Sequence, residues 1–466
     1  APLSGSVPAA MNRVFRYTVF PLCNGSDEVI GGLVLAGSAA GNATTPQGRL
    51  SLASALAGTA AAAIETTLLL KSRKALLDSV IRTMAQAIDA KSLHTGGHCQ
   101  RVPVLTEALA RAACEADSGP FADFSLTPAD WEAVEVAGWL HDWGKLTTAE
   151  YVIDKGTKLE AVYNRIHEIR MRFELLKCQA HVDYWRGLAE GADEAALRAA
   201  RDEELARLDE DYAFVARCNE VGEAMAPEDL DHLRRIGART WLRTLDDRLG
   251  ISREENLRRQ PMSVAALPAR EPLLSDRPDH LVPHPPSAFS DAEAQAGFRM
   301  QRPAYHLNLG ELYNLSVGRG TLTPEERYEV NRHITHTIVM LEKLPLTGAL
   351  QQVPEFAGGH HEKMDGTGYP RGLKREEMSV VARIMAIADV FEALTSADRP
   401  YKKAKPLSEA IGIMGRMKRE RHLDPDLLDL FLTSGVWRGY ARRFLQPEQI
   451  DEPDIETVLD ARPEAA

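Results

Sequence analysis

The hydrophobic pattern of the first ninety residues predicts two strands followed by a long helix. Residues 14–22 and 29–35 are rich in apolar and β-branched side chains, and the turn-forming residues 24–27 lie between them, which is typical of a β-hairpin. Residues 50–91 contain no proline, and their apolar positions recur at helical spacing. One seam consists of Leu70, Leu77, Ile81, Met84 and Ile88. Such a seam either pairs two subunits or packs within its own domain, and so few heptads do not separate the two.

From residue 105 onward the pattern predicts an almost wholly helical chain. Thr127 and Thr323 are each followed by proline at the first helical position and by an acid at the third, so both helix starts can be placed from their caps. Residues 159–248 are charged and alanine-rich, as helical hairpins are, whereas residues 261–303 are proline-rich with few helix signals. We therefore expect helical hairpins followed by a long connection.

The inserted helical segment is expected to have one packed face. Its apolar residues recur at steps of three and four, in the order Ile166, Ile169, Phe173 and Leu176. The remaining positions predict side chains on the surface, namely Arg165, Arg170, Arg172 and Glu174. We expect this segment to project from the rest of the chain and to contact a partner or a second copy.

Composition excludes several classes of protein. The 466 residues carry 55 lysines and arginines against 67 acids, a net charge of −12, which argues against coating a nucleic-acid polymer. Five scattered cysteines without CxxC spacing predict neither a disulfide framework nor a cysteine zinc site, and fit a reducing cytoplasm. The longest uncharged apolar run, residues 50–64, is shorter than the ~20 residues of a span, so none is expected. Because the chain begins with Ala1 and shows no signal segment, we expect a trimmed fragment.

Histidines and carboxylates are concentrated in two distant parts of the chain. The first part is residues 94–102 with 139–145, and the second extends from residue 333 to residue 389. Asp142 and Asp389 each follow an apolar run, where a carboxylate is costly unless it is paired or bound to a metal. Imidazole and carboxylate together favour manganese, iron, nickel, cobalt or zinc, and argue against a thiolate site.

These motifs resemble the HD-GYP phosphodiesterases, a branch of the HD-domain metal-dependent phosphohydrolases. The resemblance rests on residues 98–102, on His141-Asp142 followed by Gly144-Lys145, and on the segments 360–370 and 388–402. It implies a mainly α fold, in which an all-helical HD-type catalytic bundle carries a helical insertion. The preceding hairpin and helix resemble the end of a GAF sensor domain.

The resemblance also implies a division of the chain. We expect a partial GAF-like remnant with a connecting helix at 1–80, and a C-terminal tail at 451–466. The catalytic domain would be divided into residues 81–158 and 311–450. Inserted helical hairpins and the proline-rich connection would occupy residues 159–310, where the family has only a short segment between the HD pair and the next histidine.

The family's metal ligands can be carried over by position. They imply two divalent transition-metal ions bridged by Asp142, with iron or manganese favoured and nickel, cobalt or zinc as alternatives. The matching side chains are His98, His141, Asp142, His333, His360, His361 and Asp389. His94, four residues before His98, is a further candidate: a ligand to a third ion, a contact to a ligand or to substrate phosphate, or a surface histidine.

The resemblance implies roles in catalysis and substrate binding for other residues. Lys145, with Asp142, would be catalytic, donating a proton to the leaving oxygen or stabilising its charge. Substrate phosphate would be held by Arg399 and Lys402, which suit oxyanions. The loop with Asp365, Gly368 and Tyr369 would present the tyrosine to a purine, and its glycines are expected where φ turns positive.

The implied activity is hydrolysis of a cyclic dinucleotide, foremost cyclic di-GMP to pGpG or GMP, by a metal-bridging hydroxide. Three alternatives stay open: a catalytically weak dinucleotide-binding signalling protein, an HD phosphohydrolase of another nucleotide, and a mixed-valent di-iron oxidase. The tyrosine-proline loop argues against the oxidase. We expect a cytoplasmic protein without a membrane span, with a homodimer through the N-terminal helix or the insertion as an open alternative.

Overall fold

A computed structural model describes residues 3–8, 14–38, 47–91, 97–220, 225–285, 296–396 and 404–462. These residues form mainly α-helices, which confirms the predicted fold class, and three small antiparallel sheets. The chain divides into two compact units, Ala1–Thr83 and Met84–Ala466.

The N-terminal unit contains a three-stranded antiparallel sheet with the strands in chain order. These strands are β1 (Leu3–Pro8), β2 (Val14–Cys23) and β3 (Val29–Ser38). The predicted hairpin is confirmed, with Val19 opposite Val34, whereas the pairing of β1 on the other side of β2 was not predicted. Phe20 and Leu22 pack against the alanines of the following helix, Ala53, Ala57 and Ala61.

The predicted long helix is α1 (Gln47–Lys91), with 45 residues. Within the seam, Leu70 and Leu77 are 60 % and 50 % exposed, whereas Ile88 is 2 % exposed. The first part of the seam therefore has little cover within its own unit. Among the described helices, Gly48–Lys91 is long and apolar enough to cross a membrane, although core helices of soluble proteins pass the same test. In its most apolar stretch, 17 % of the residues are buried.

Fifteen α-helices and four short strands follow within the described residues of the second unit. The helices are α2 (His98–Cys114), α3 (Pro128–Leu140), α4 (Glu150–Ile153), α5 (Ile166–Ala189), α6 (Glu194–Asn219), α7 (Pro227–Gly237), α8 (Arg253–Arg259), α9 (Glu311–Leu315), α10 (Pro324–Glu342), α11 (Val353–Gly358), α12 (Val380–Thr395), α13 (Leu407–Arg419), α14 (Pro425–Thr433), α15 (Val436–Phe444) and α16 (Ile455–Leu459). The strands are β4 (Thr240–Arg243), β5 (Ala269–Pro272), β6 (Leu281–Val282) and β7 (Leu307–Asn308).

The two predicted helix starts are confirmed as capping boxes. Thr127 caps α3 and Thr323 caps α10, each accepting from the backbone N–H three residues later while that residue's carboxylate accepts from the threonine N–H. Helices α2, α12 and α14 share one apolar core through Leu105, Phe391 and Phe431. This packing brings the first residue of α2 next to the middle of α12.

The inserted segment has an apolar core of its own. Helices α5 and α6 pack against each other as a hairpin, and the predicted face is confirmed, because Ile169 and Phe173 are buried together with Leu208 and Val215. Leu315, on α9, belongs to the same core. Strands β4 and β5 pair here although no strand was predicted.

The expectation that Arg165 and Arg172 lie on the surface was wrong, since both are half-buried. The guanidinium of Arg165 donates to the carbonyl of Leu309, and that of Arg172 donates to Glu311 Oε2 at 2.7 Å. The flank of α5 outside its apolar face is thus covered by a segment that comes 139 to 144 positions later in the chain.

The proline-rich connection is closed at its base by a short ladder. Strands β6 and β7 pair in an antiparallel ladder. The N–H of His306 donates to the carbonyl of Val282 at 2.8 Å, and the N–H of Leu309 donates to the carbonyl of His280 at 2.9 Å. The residues just beyond β6 and just before β7 are therefore neighbours.

Candidate metal centre

The first group of candidate ligands combines the start of α2, the residues after α3 and the middle of α12. Nε2 of His98 lies 3.2 Å from Nε2 of His141 and 3.1 Å from Oδ2 of Asp142. Oδ1 of Asp389 lies 3.4 Å from Nε2 of His98. Four ligand atoms from three separate elements thus converge on one point.

The second group lies on α10 and just after α11. Nε2 of His333 lies 3.2 Å from Nε2 of His361, and the two cluster with His360. Oδ1 of Asp142 is 3.2 Å from Nε2 of His333. Asp142 therefore joins both groups, with Oδ2 toward the first and Oδ1 toward the second.

Four of these histidines have the same orientation, with Nδ1 turned away from the cluster. Since a carbonyl or carboxylate oxygen only accepts, Nδ1 carries a proton in each case, and in the neutral form of the ring the lone pair lies on Nε2, where a metal can bind. The pairs are His141 with Gly138 O at 2.8 Å, His333 with Val330 O at 2.6 Å, His360 with Ala357 O at 2.6 Å, and His98 with Glu392 Oε2 at 2.5 Å.

Two buried polar atoms of the cluster lack a hydrogen-bond partner among the described residues. They are Oδ1 of Asp142 and Nε2 of His360. Buried polar atoms are normally satisfied, and a divalent cation would satisfy a carboxylate oxygen and an imidazole nitrogen together. Burial raises the pKa of the neighbouring Cys99 well above its usual value, so that this thiol stays protonated. The residues present therefore fit a nitrogen and oxygen site for borderline divalent ions.

The electrostatics of the cluster centre on Asp142. Burial acts to raise its pKa, but Lys145 and His141 outweigh this effect and hold the pKa well below its ordinary value. The ammonium of Lys145 contacts Oδ2 of Asp142, and although burial opposes it, Asp142 and Asp389 raise the lysine pKa. Burial likewise opposes charge on His98, yet its contacts with Asp142 and Glu392 raise its pKa to about 10, so this ring also takes a proton on Nε2, which a bound metal ion would displace. The cluster therefore strongly favours cations.

Comparison with known proteins agrees with this geometry. A family profile described as an HD domain matches residues 268–427, which include His333, His360, His361 and Asp389. The chain contains an HD domain. Such a domain implies dependence on divalent metal ions.

Curated relatives align over about a quarter of the chain. A 3'3'-cGAMP-specific phosphodiesterase of Vibrio cholerae is 44 % identical over 95 residues, 20 % of this chain and 20 % of the relative. Cyclic di-GMP phosphodiesterases of Thermotoga maritima and Pseudomonas aeruginosa are 40 % and 42 % identical over 113 and 115 residues, which are 24 % and 25 % of this chain and 30 % and 27 % of those relatives. The chain thus spans less than a third of each. The predicted resemblance to HD-GYP phosphodiesterases is confirmed, whereas the GAF-like remnant stays a prediction.

The turn after Asp142 packs directly on α10, a helix of the HD domain. The N–H of Gly144 donates to Oγ1 of Thr337 at 2.8 Å, and a Cβ at Gly144 would lie 1.8 Å from the carbonyl oxygen of His333. Thr337, the small residue four positions after His333, is thus the residue of α10 that accepts a hydrogen bond from this turn. Trp143 packs with Ile88 and Cys99.

Tyr369, in the loop of the HD domain that follows His361, packs against the ring of that histidine. The ring of Tyr369 stacks on that of His361, with centroids 4.9 Å apart and an interplanar angle of 21°. Asp365 accepts from the N–H and the hydroxyl of Thr367 at 2.9 and 2.8 Å, which shapes the turn. Gly366 has φ of +82°, as expected.

The expectation of a positive φ at Gly368 was wrong. A Cβ there would lie 2.3 Å from the backbone nitrogen of Lys363, so close backbone approach requires this glycine. Three further candidates, His94, Arg399 and Lys402, lie outside the described residues.

Two buried glutamates of the HD domain had no predicted role. Glu392 accepts from His98 and from Nε of Arg101 at 2.7 Å, and it lies three residues after Asp389 on α12. Because a spacing of three is about one helical turn, the sequence alone could have placed Glu392 beside Asp389. Glu362 accepts from three successive backbone N–H groups at 2.7 to 3.2 Å, of residues 371–373. Only the folded loop reveals this contact.

Proposed function

We propose that this protein is a metal-dependent phosphodiesterase that hydrolyses a cyclic dinucleotide, with cyclic di-GMP as the first candidate. The observation that carries the proposal is the position of Asp142, whose two oxygens lie 3.1 and 3.2 Å from histidine nitrogens of two different groups. A carboxylate bridging two ions suits phosphodiester hydrolysis. The activities for which these relatives are named support the choice of substrate.

We assign one ion to each group of ligands. The first ion would be held by His98, His141, Asp142 and Asp389, and the second by Asp142, His333, His360 and His361. Iron or manganese is our first choice, with nickel, cobalt or zinc as alternatives. When bound, such ions lower the pKa of water and neutralise charge on phosphoryl oxygens.

The chain's own residues would bind and orient the substrate. Lys145 stays protonated because Asp142 and Asp389 raise its pKa, so it acts by stabilising charge on the leaving oxygen and donates its proton only as that charge develops. Arg399 and Lys402 would hold the phosphates. Tyr369, ordered by stacking on His361, would contact a base of the substrate.

The test joins metal content to turnover. Asp142→Ala should lose turnover and the ions of these two groups, because it removes a ligand from each group, whereas His181→Ala, at an exposed position on α5, should change neither turnover nor metal content. Elemental analysis would accompany hydrolysis of cyclic di-GMP and of 3'3'-cGAMP. A metal-replete wild-type protein that binds either dinucleotide without cleaving it would refute the enzymatic proposal in favour of a binding protein.

We also propose a cytoplasmic location and a homodimer through α1, where exposed Leu70 and Leu77 continue the apolar seam. Sedimentation would measure the dimer, and a monomeric protein at all accessible concentrations would contradict it.

A further inference from the structure

A third group of metal-ligating side chains lies outside the two groups that Asp142 joins, which together are called the HD centre. It consists of His284, His306 and Glu329, each half-buried, and one ligand atom from each lies within 4.8 Å of the others. None of the three belongs to the seven candidate ligands around Asp142. The group needs an explanation of its own.

The proline-rich connection and α10 bring these residues together. His284 lies two residues after β6 and His306 immediately before β7, so both stand at the same end of the short ladder, with ring centroids 5.8 Å apart. Glu329 lies on α10, four residues before His333 and therefore one turn away on the same side of the helix. The group thus joins the connection to the helix that supplies a ligand of the HD centre.

The donor atoms are prepared for a cation. Nε2 of His284 donates to the carbonyl of Pro303 at 2.8 Å, which leaves the lone pair on Nδ1 of the neutral ring. Nδ1 of His306 lies 3.2 Å from Oε1 of Glu329. Two ligands at ~2.0 Å in tetrahedral geometry are separated by about 3.3 Å, so this spacing matches two corners of a zinc site.

Glu329 is the charged member of the group. Burial acts to raise its pKa, but His306 and Arg332 outweigh this effect and lower it, so the carboxylate is ionised. Nη1 of Arg332 lies 3.1 and 3.3 Å from the two carboxylate oxygens. The arginine holds the carboxylate in place, as outer partners of metal ligands do.

We propose that His284, His306 and Glu329 bind a further divalent ion of the zinc class, separate from the HD centre. Two imidazoles and a carboxylate are a recognised zinc donor set that leaves one position for water. The ion ties the residues beside the β6–β7 ladder, His284 and His306, to α10 through Glu329. Metal occupancy at this site therefore steadies the helix that carries His333.

Zinc stoichiometry tests the proposal, with Zn²⁺ alone as the probe. Apo-protein would be dialysed against buffered Zn²⁺ and analysed for metal, for the wild type and for His306→Ala and Glu329→Gln. The control is His181→Ala, the exposed histidine on α5. We expect each cluster variant to bind one ion fewer per chain than the wild type and the control.

The same comparison in the Asp142→Ala background separates this site from the HD centre. We expect Asp142→Ala to keep one zinc ion per chain that is lost when His306→Ala is added. This result does not depend on hydrolytic activity. Equal zinc content with and without His306→Ala, in both backgrounds, would overturn the proposal and leave a hydrogen-bonded His–Glu–Arg network. If circular dichroism shows that Asp142→Ala does not fold, the comparison in the wild-type background decides alone.

Discussion

Replacing Gly144 by alanine tests whether the contact between the turn after Asp142 and helix α10 sets the distance between the two groups of ligands. The added Cβ would lie 1.8 Å from the carbonyl oxygen of His333, whereas real Cβ contacts stay at 3.0 Å or more. Because the obstacle is backbone, the turn after Asp142 and helix α10 must move apart until the contact opens from 1.8 to at least 3.0 Å. The hydrogen bond from Gly144 to Thr337 would be stretched as well.

That displacement is large on the scale of metal coordination. Ligand distances in metal sites hold to within ~0.2 Å, so a movement several times larger separates Oδ1 of Asp142 from Nε2 of His333, now 3.2 Å apart. Overpacking of this kind costs about 1–3 kcal/mol of stability. We expect Gly144→Ala to fold with reduced stability, to lose at least one ion per chain and to lose hydrolysis.

Denaturant unfolding and elemental analysis would measure both effects. The matched control is Gly412→Ala within α13. Among the described residues, no heavy atom beyond its chain neighbours and the nearby backbone of its own helix lies within 4 Å of the added Cβ, and alanine should stabilise the helix by about 0.5–1 kcal/mol. Full metal content and normal turnover in Gly144→Ala would refute the reasoning, because α10 would then not depend on this contact for its position.

Three further predictions concern charged side chains. Lys145→Ala should keep full metal content while hydrolysis slows, and an equal loss of metal would show that the lysine supports the ligands instead. Glu392→Gln should weaken metal binding by about 10- to 100-fold in chelator competition, because His98 loses the carboxylate that orients it; exposed Glu107→Gln is the control. Lys155→Met should cost about 3–5 kcal/mol in denaturant unfolding, since it leaves buried Glu326 unpaired, whereas Lys177→Met, with an exposed partner, should cost under ~1 kcal/mol.

The sequence predicts best what depends on local spacing. The caps at Thr127 and Thr323, the packed face of α5 and the hairpin of β2 and β3 all follow from neighbouring residues, and the structure confirms them. The candidate ligands were carried over from motifs, and the structure brings the seven together in one cluster, although 191 positions separate Asp142 from His333. Their roles as ligands stay a proposal.

What the sequence did not reveal depends on distant parts of the chain. Helical periodicity identifies the apolar face of α5, but it carries no information about the 309–311 segment that covers Arg165 and Arg172. Strands β4 and β5 have four residues each, too short for a clear alternation. Position 368 requires glycine because the backbone of Lys363 lies too close for a Cβ. The motif alone shows that glycine is needed there, but it does not distinguish this close approach from a positive φ.

The division of the centre between two distant stretches has a consequence for its biosynthesis. During translation His98, His141 and Asp142 leave the ribosome first, and at ~5–20 residues per second His333 follows Asp142 after about 10–40 s. Within the described part of the chain, the apolar core of the insertion is built from residues between 159 and 315, so the insertion can fold during that interval. A nascent chain therefore exposes half of the candidate metal centre, including the carboxylate of Asp142, until α10 packs on the turn at Gly144.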